Sequence, residues 1–222
     1  MTTDPRFVVF LVDDDAGVLK GLTRMLSAKG FEVQAFSSAA EFLARHDRSV
    51  PGCAVLDVSM PELDGIELQK ALRARGSERP VIFITGVGDI PTSVQAMKAG
   101  AVDFLTKPVK SQALLAAIAL AAEKEAQAIA SRDELASINE RLSKLTPRER
   151  EVLSHVIAGR LNKQIAADLG TVEKTIKLHR ARMMHKLGIR AVADLVRLAE
   201  RAGIEPSHQR EDVGPRSIST IR

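Results

Sequence analysis

A chain of 222 residues, 45% of them hydrophobic, is long enough for one large domain or two small ones with a proper core, and no apolar run in it approaches the ~20 residues that cross a membrane. Seven Phe with no Trp and no Tyr argue against a platform that stacks single-stranded nucleic acid. One cysteine rules out a disulfide framework or a thiolate metal cluster and makes a reducing cytoplasm the expected location. The net charge of +4 is unevenly placed: residues 1–120 hold 13 Lys+Arg against 14 Asp+Glu, whereas residues 144–205 hold 13 against 7, so a polyanionic partner is expected for the C-terminal part alone.

The first residues, Met1 to Arg6, lack the basic-then-apolar layout of a secretory signal. Phe7–Val12 is an all-apolar run of strand length that ends in Asp13-Asp14-Asp15. Helical spacing of Val18, Leu22, Met25 and Leu26 predicts a helix over 16–29, closed by Gly30. Phe31–Phe36 alternates as an edge strand would, and Ser37 or Ser38 caps a short helix carrying Phe42 and Leu43. After Pro51-Gly52 comes a third apolar run, Cys53 to Leu56, ending in Asp57. Asp64 caps a helix bearing Ile66, Leu68 and Leu72. Val81–Ile84 is a fourth strand ending in Thr85-Gly86. A helix is expected over about 91–99, closed by Gly100. Ala101–Leu105 is a fifth strand, followed by Thr106-Lys107-Pro108.

Five apolar runs alternating with helices predict a doubly wound parallel sheet covered on both faces. Chemistry in such sheets gathers at the carboxyl ends of the strands. Asp13, Asp14, Asp57, Thr85 and Lys107 all fall at those ends. A lone Asp there is most often a turn residue; five such groups at one sheet end point to a site. Clustered carboxylates repel unless something positive holds them. Lys107 supplies one charge, and the remainder favours a hard, oxygen-ligated divalent cation, Mg²⁺. Asp57 is then placed as a carboxylate nucleophile toward a phosphoryl donor, with Lys107 and the Thr85 hydroxyl on the phosphoryl oxygens.

At Val12-Asp13-Asp14-Asp15, Leu56-Asp57-Val58-Ser59-Met60-Pro61, Asp64-Gly65, Thr85-Gly86 and Lys107-Pro108 the sequence resembles the receiver domain of two-component response regulators. The resemblance covers about residues 5–120. It implies that Asp57 takes phosphate from a sensor histidine kinase and that Asp13, Asp14 and Asp57, with the Ser59 backbone carbonyl, bind Mg²⁺. It implies also that Thr85 and Lys107 read the phosphoryl group and that Phe104 is the aromatic switch. Ser59 and Val87 depart from the larger or more polar residues common beside the phosphate.

From Pro108 to about Ser143 nothing breaks a helix, and Leu114, Ile118, Ala121, then Leu135, Ile138, Leu142 and Leu145 recur at spacings of three and four. A long linker helix is expected, with two helices and a joint near Ser131 as the other reading. Thr146-Pro147-Arg148-Glu149 is a capping-box helix start. Asn162–Leu169 is a short helix closed by Gly170, and a longer basic helix opens at Thr171 or the residue after it. This is the helix-turn-helix layout. The long helix carries Lys174, Lys177, Arg180, Arg182 and Lys186, suited to phosphate contacts. His155 and His185 read as packing or surface residues; His46 and His208 carry no signal.

At Leu145–Leu153, Gly159, Asn162-Lys163, Ile165-Ala166, Leu169, Glu173–Lys177, His179-Arg180 and Lys186-Leu187 the segment resembles the LuxR-type DNA-binding domain, over about residues 142–203. Joined to the receiver, the chain is similar to regulators of the NarL/FixJ family. The resemblance places Lys177 and Leu178 toward bases, and Lys174, Thr175, His179, Arg180 and Arg182 at or near the backbone of double-stranded promoter DNA. Thr171-Val172 stands where relatives have an apolar residue and then Ser, so the helix cap is expected a residue early, at Thr171.

The expected organisation is a receiver over 1–120, a helical linker over 121–143, a four-helix DNA-binding domain over 144–205 and a disordered tail from 206 to 222. The expected function is a phosphorylation-controlled transcription regulator, not an enzyme. Phosphate on Asp57 would favour a homodimer through the face formed by the 91–99 helix, the fifth strand and the helix after it, and RNA polymerase is the expected further partner. A constitutively dimeric regulator with a non-phosphorylated receiver is the alternative. A phosphatase would want a second acid two residues after Asp57, and that residue is Ser59.

Overall fold

The computed structural model describes residues 7–86 and 97–207. The chain divides into two compact units, residues 1–130 and residues 131–222. In the first, five strands, β1 (Val8–Val12), β2 (Glu32–Phe36), β3 (Gly52–Asp57), β4 (Val81–Thr85) and β5 (Asp103–Thr106), form one sheet in the order β2-β1-β3-β4-β5, every pair parallel. The expected doubly wound sheet is the observed one, and β2 is an edge strand. Between the strands lie α1 (Ala16–Ser27), α2 (Ala39–Arg45) and α3 (Gly65–Ala74).

The apolar runs are continuous because both sheet faces are covered. Along β1, Val8, Phe10 and Val12 join one core with Ala54, Leu56, Val81 and Phe83. Val9 and Leu11 point the other way, into a second core with Cys53, Val55, Ile82 and Ile84. The helix after β5, α4 (Ser111–Ser143), closes that second core with Leu114, Ala117, Ile118 and Ala121. Cys53 lies wholly buried there, and burial pushes its thiol up to about 12.

Boundaries differ from the sequence expectation in physical ways. β5 begins at Asp103, because Val102 hydrogen-bonds Val81 as a lead-in and only Asp103 enters the ladder. α4 begins at Ser111, three residues after Pro108. Ser38, and not Ser37, caps α2, its hydroxyl accepting from Glu41 N–H at 3.1 Å, while Glu41 reaches back to Ser37 N–H at 2.9 Å. His46, silent in the sequence, is buried and stacks on Phe42 at 4.2 Å between ring centroids, so it is a core histidine. Most of the expected 91–99 helix, and Val87 with it, lies outside the described residues.

The second unit begins within α4 and continues through α5 (Pro147–Ile157), α6 (Asn162–Asp168), α7 (Glu173–Leu187) and α8 (Val192–Arg201). Its core joins Ile138, Leu142 and Leu145 to Val152, Val156, Ile165, Ile176, Met183, Leu187, Leu195 and Leu198. The end of α4 is thus part of this core: Arg141 also donates to the Leu187 carbonyl at 3.1 Å. The expected capping box at the start of α5 is present, Thr146 against Glu149. The unit extends past the expected boundary at 205, since Ser207 N–H donates to the Ser154 carbonyl at 3.0 Å and its hydroxyl meets His155 Nδ1 at 3.1 Å. The remaining tail, His208 included, lies outside the described residues.

Candidate functional site

Sheet register brings the first site together. Val12 pairs with Leu56, Asp57 with Ile84 and Thr85 with Thr106, so Asp13, Asp57, Thr85 and Lys107 share one end of the sheet. The neighbouring loops are tied to β4. Val58 N–H donates to the Ile84 carbonyl at 2.9 Å, and Lys107 N–H donates to the Thr85 carbonyl at 2.7 Å. The lysine that faces the carboxylates is therefore fixed at its backbone to the strand that carries Thr85.

The Lys107 ammonium lies 2.7 Å from Asp13 Oδ2 and 2.8 Å from Asp57 Oδ1. Both carboxylates are buried, at 1% and 3% exposure. Their second oxygens accept backbone bonds, Asp13 Oδ1 from Asp15 N–H and Asp57 Oδ2 from Ser59 N–H, each at 2.9 Å. Burial holds the Asp13 carboxyl above its usual value, against the pull of Lys107 and the Asp15 N–H. For Lys107 burial works against the charged form, yet the bonds and charge of Asp13 and Asp57 win and its pKa is raised. Thr85 is wholly buried at the end of β4, and Phe104 on β5 lies half-buried against Phe83 at 6.5 Å between ring centroids.

The three consecutive acids take three roles. Asp13 is buried, Asp14 is exposed at the rim, and Asp15 is the N-cap of α1, accepting from Gly17 and Val18 N–H groups. Asp13, Asp14 and Asp57 each offer a carboxylate oxygen within 4.8 Å of the others. An all-oxygen, net-negative donor set of this kind fits a hard divalent cation. The loop after Asp57 is tightly built: Gly65 N–H donates to the Val58 carbonyl at 3.1 Å, and a Cβ on Gly65 would lie 2.3 Å from the Asp57 carbonyl oxygen. Glu62 sits at φ 65° in the left-handed region that few non-glycine residues adopt.

The second site is the outward face of α7. Ile176, Met183 and Leu187 face the core, which leaves Lys174, Lys177, Leu178 and Arg182 exposed. Thr175, His179 and Arg180 are half-buried at the flanks. Arg180 is anchored by Asn162 Oδ1 at 3.1 Å. Lys186 is drawn inward to the buried Glu149 at 2.7 Å, so this lysine, counted with the phosphate-neutralising charges in the sequence, has a structural partner. That contact spans 37 positions of sequence and has no local signal. His185, read from the sequence as a packing or surface residue, stands exposed.

The N-cap of α7 is Val172, without a side-chain cap bond, and not Thr171. Thr171 N–H is spent on the Ala166 carbonyl at 2.9 Å, closing α6 around Gly170 at φ 61°. With Thr171 completing the preceding turn, the extended residue that starts the next helix is Val172.

An acidic pocket at the carboxyl ends of a five-stranded parallel sheet, followed by a small helical unit with a helix-turn-helix, defines a receiver joined to a DNA-binding output module. Comparison with known proteins agrees. Residues 9–119 match the response regulator receiver domain, and residues 143–199 match the luxR family of bacterial regulatory proteins. The chain is 42% identical over 199 residues to the response regulator protein TodT of Pseudomonas putida, covering 90% of this chain and 88% of that one. It is 42% identical over 201 residues to the transcriptional regulatory protein FixJ of Rhizobium meliloti, covering 90% and 98%. Among solved structures, the response regulator StyR matches with a TM-score of 0.76 at 45% identity over 88% of this chain and 99% of that one. Full-length FixJ from B. japonicum matches with a TM-score of 0.53 at 40% identity over 90% and 99%. The chain belongs to the NarL/FixJ family of response regulators, a receiver domain followed by a LuxR-type helix-turn-helix domain.

Proposed function

We propose that this response regulator is switched by transfer of a phosphoryl group to Asp57 from a partner histidine kinase. One observation carries the reading: Asp57 is buried at a strand end with Asp13 beside it and a single ammonium bridging both. In the transfer, an Asp57 carboxylate oxygen attacks the phosphorus of a phosphohistidine, the P–N bond breaks and the imidazole leaves. Lys107 stays close to the Asp57 side of the new group and offsets its charge, and the Thr85 hydroxyl donates to a phosphoryl oxygen. Asp13, Asp14 and Asp57, with the Ser59 carbonyl, would hold Mg²⁺, which supplies further neutralisation of the phosphoryl oxygens.

Movement of Thr85 toward the phosphoryl group frees space for Phe104, and the changed surface around β5 favours a homodimer. The dimer sets two α7 helices on promoter half-sites of double-stranded DNA. Lys177 and Leu178 approach bases, while Lys174, Thr175, His179, Arg180 and Arg182 contact or flank the phosphate backbone. The bound regulator then meets RNA polymerase in the cytoplasm. The exposure of Lys174, Lys177, Leu178 and Arg182 on one side of a basic helix supports this arrangement.

The test is Asp57→Asn in a promoter-binding assay with acetyl phosphate and Mg²⁺. The wild-type chain gains affinity on phosphorylation and the variant does not. Equal stimulation of both would remove Asp57 from the switch, and wild-type binding that acetyl phosphate leaves unchanged would make a constitutive dimer the account.

A further inference from the structure

We propose that Glu173 is a specificity-determining residue of the DNA-binding unit, and that together with Lys177 it reads one C·G base pair in the major groove. The inference rests on the DNA-binding reading above and deepens it by naming a base pair and its reader.

Glu173 is the only acid on α7, among Lys174, Lys177, Arg180, Arg182 and Lys186. It occupies the first position of the helix, and N-terminal residues of a recognition helix are those that reach base edges. Its carboxylate lies 2.9 Å from the Lys177 ammonium, one helical turn on. Both side chains are open to solvent, at 44% and 63%. The residues beside them on the helix surface, Val172 and Leu178, are large, apolar and exposed. A carboxylate among these groups is unfavourable for a surface that only neutralises phosphates, since it subtracts one charge from the face that meets the polyanion.

The pair presents an acceptor and a donor side by side. In the major groove, cytosine shows an N4 amino donor and its paired guanine shows O6 and N7 acceptors. A carboxylate accepting from cytosine N4 and an ammonium donating to guanine match that edge, and each charge stays compensated when water is expelled. An exposed helical pair of this kind is weak in water, so it opens at little cost to meet the base pair. On random DNA the carboxylate finds no amino group at the right place and faces phosphates, which weakens non-specific binding.

The test is selection of binding sites from a randomised duplex library by the full chain, incubated with acetyl phosphate and Mg²⁺. Wild type is expected to enrich one C·G pair per half-site. Glu173→Ala is expected to lose about tenfold in discrimination at that pair and to bind random DNA more tightly. Glu173→Gln is expected to shift the choice toward A·T, because a glutamine amide matches adenine N6 and N7. Identical enriched sequences for wild type and both variants would overturn the inference while leaving DNA binding intact; this is the outcome if the carboxylate only faces the helix dipole. If the wild-type chain enriches nothing, the DNA-binding reading falls and this inference with it.

Discussion

Lys107 holds two buried carboxylates that would otherwise repel each other. Replacing it with Ala leaves Asp13 and Asp57 facing one another with no cation among the described side chains within reach. Breaking a buried pair costs roughly 3–5 kcal/mol, and the partial exposure of Lys107 reduces this to on the order of 1–3 kcal/mol. The Lys107→Ala receiver should therefore melt earlier in metal-free buffer, by far-UV circular dichroism, and recover most of the loss in Mg²⁺. No recovery in Mg²⁺ would argue against cation binding by the three acids. Glu149 makes a similar case in the second unit. Burial alone would raise its pKa, but Lys186 and the Thr146 N–H hold it below its ordinary 4.5. A depressed folded-state value means that this stabilisation is complete above pH 4.5 and drains as the pH falls through the folded value. The melting gap between wild type and Glu149→Gln should thus be full at neutral pH and close in acid. A gap that widened on acidification would contradict the pairing.

At the scale of elements, the loop after β3 is set by close backbone approach. Gly65→Ala places a methyl group 2.3 Å from the Asp57 carbonyl oxygen, so the Asp57 loop must shift. Phosphorylation by acetyl phosphate, read on a phosphate-sensitive gel, should drop severalfold while the sheet survives. The end of α4 gives a second prediction. Ile138 is buried at 3% in the second core, and Ile138→Ala should destabilise that unit by about 2–4 kcal/mol, seen as faster amide exchange in α7. Much of this architecture was legible in the sequence, because its signals are local. Apolar runs ending in acids marked β1 and β3, and Thr146 with Glu149 marked the start of α5. What was not legible depends on partners far apart or on spent backbone groups. Lys186 looked like a free charge because Glu149 is distant in sequence. The start of α7 moved from Thr171 to Val172 because the Thr171 N–H closes α6. The set Asp13, Asp57, Thr85 and Lys107 was readable because a parallel sheet delivers all its strand ends to one edge.

At the scale of the whole molecule, the proposed dimer would protect two half-sites about one helical turn, roughly 34 Å, apart. Footprinting with acetyl phosphate should show paired protection of this spacing, and Asp57→Asn should show none above its basal level. Affinity should fall steeply with salt, and Lys174→Ala should lower that slope by about one. A slope unchanged in Lys174→Ala would take that lysine off the phosphate backbone.

Cys53 gives the receiver a chemical clock. It is the chain's one thiol, in a molecule with no Trp or Tyr to report on folding by fluorescence. It lies at the centre of the sheet with its pKa near 12, so an alkylating reagent meets neither access nor thiolate while β3 is seated. Labelling then reports opening of the sheet, following the population of the open form when reclosing outpaces alkylation. A ligand that binds only the closed receiver slows the labelling in proportion to its occupancy. Mg²⁺ and acetyl phosphate titrations can therefore be timed at an unmodified residue, and the same measurement on Asp57→Asn should not respond to the phosphoryl donor.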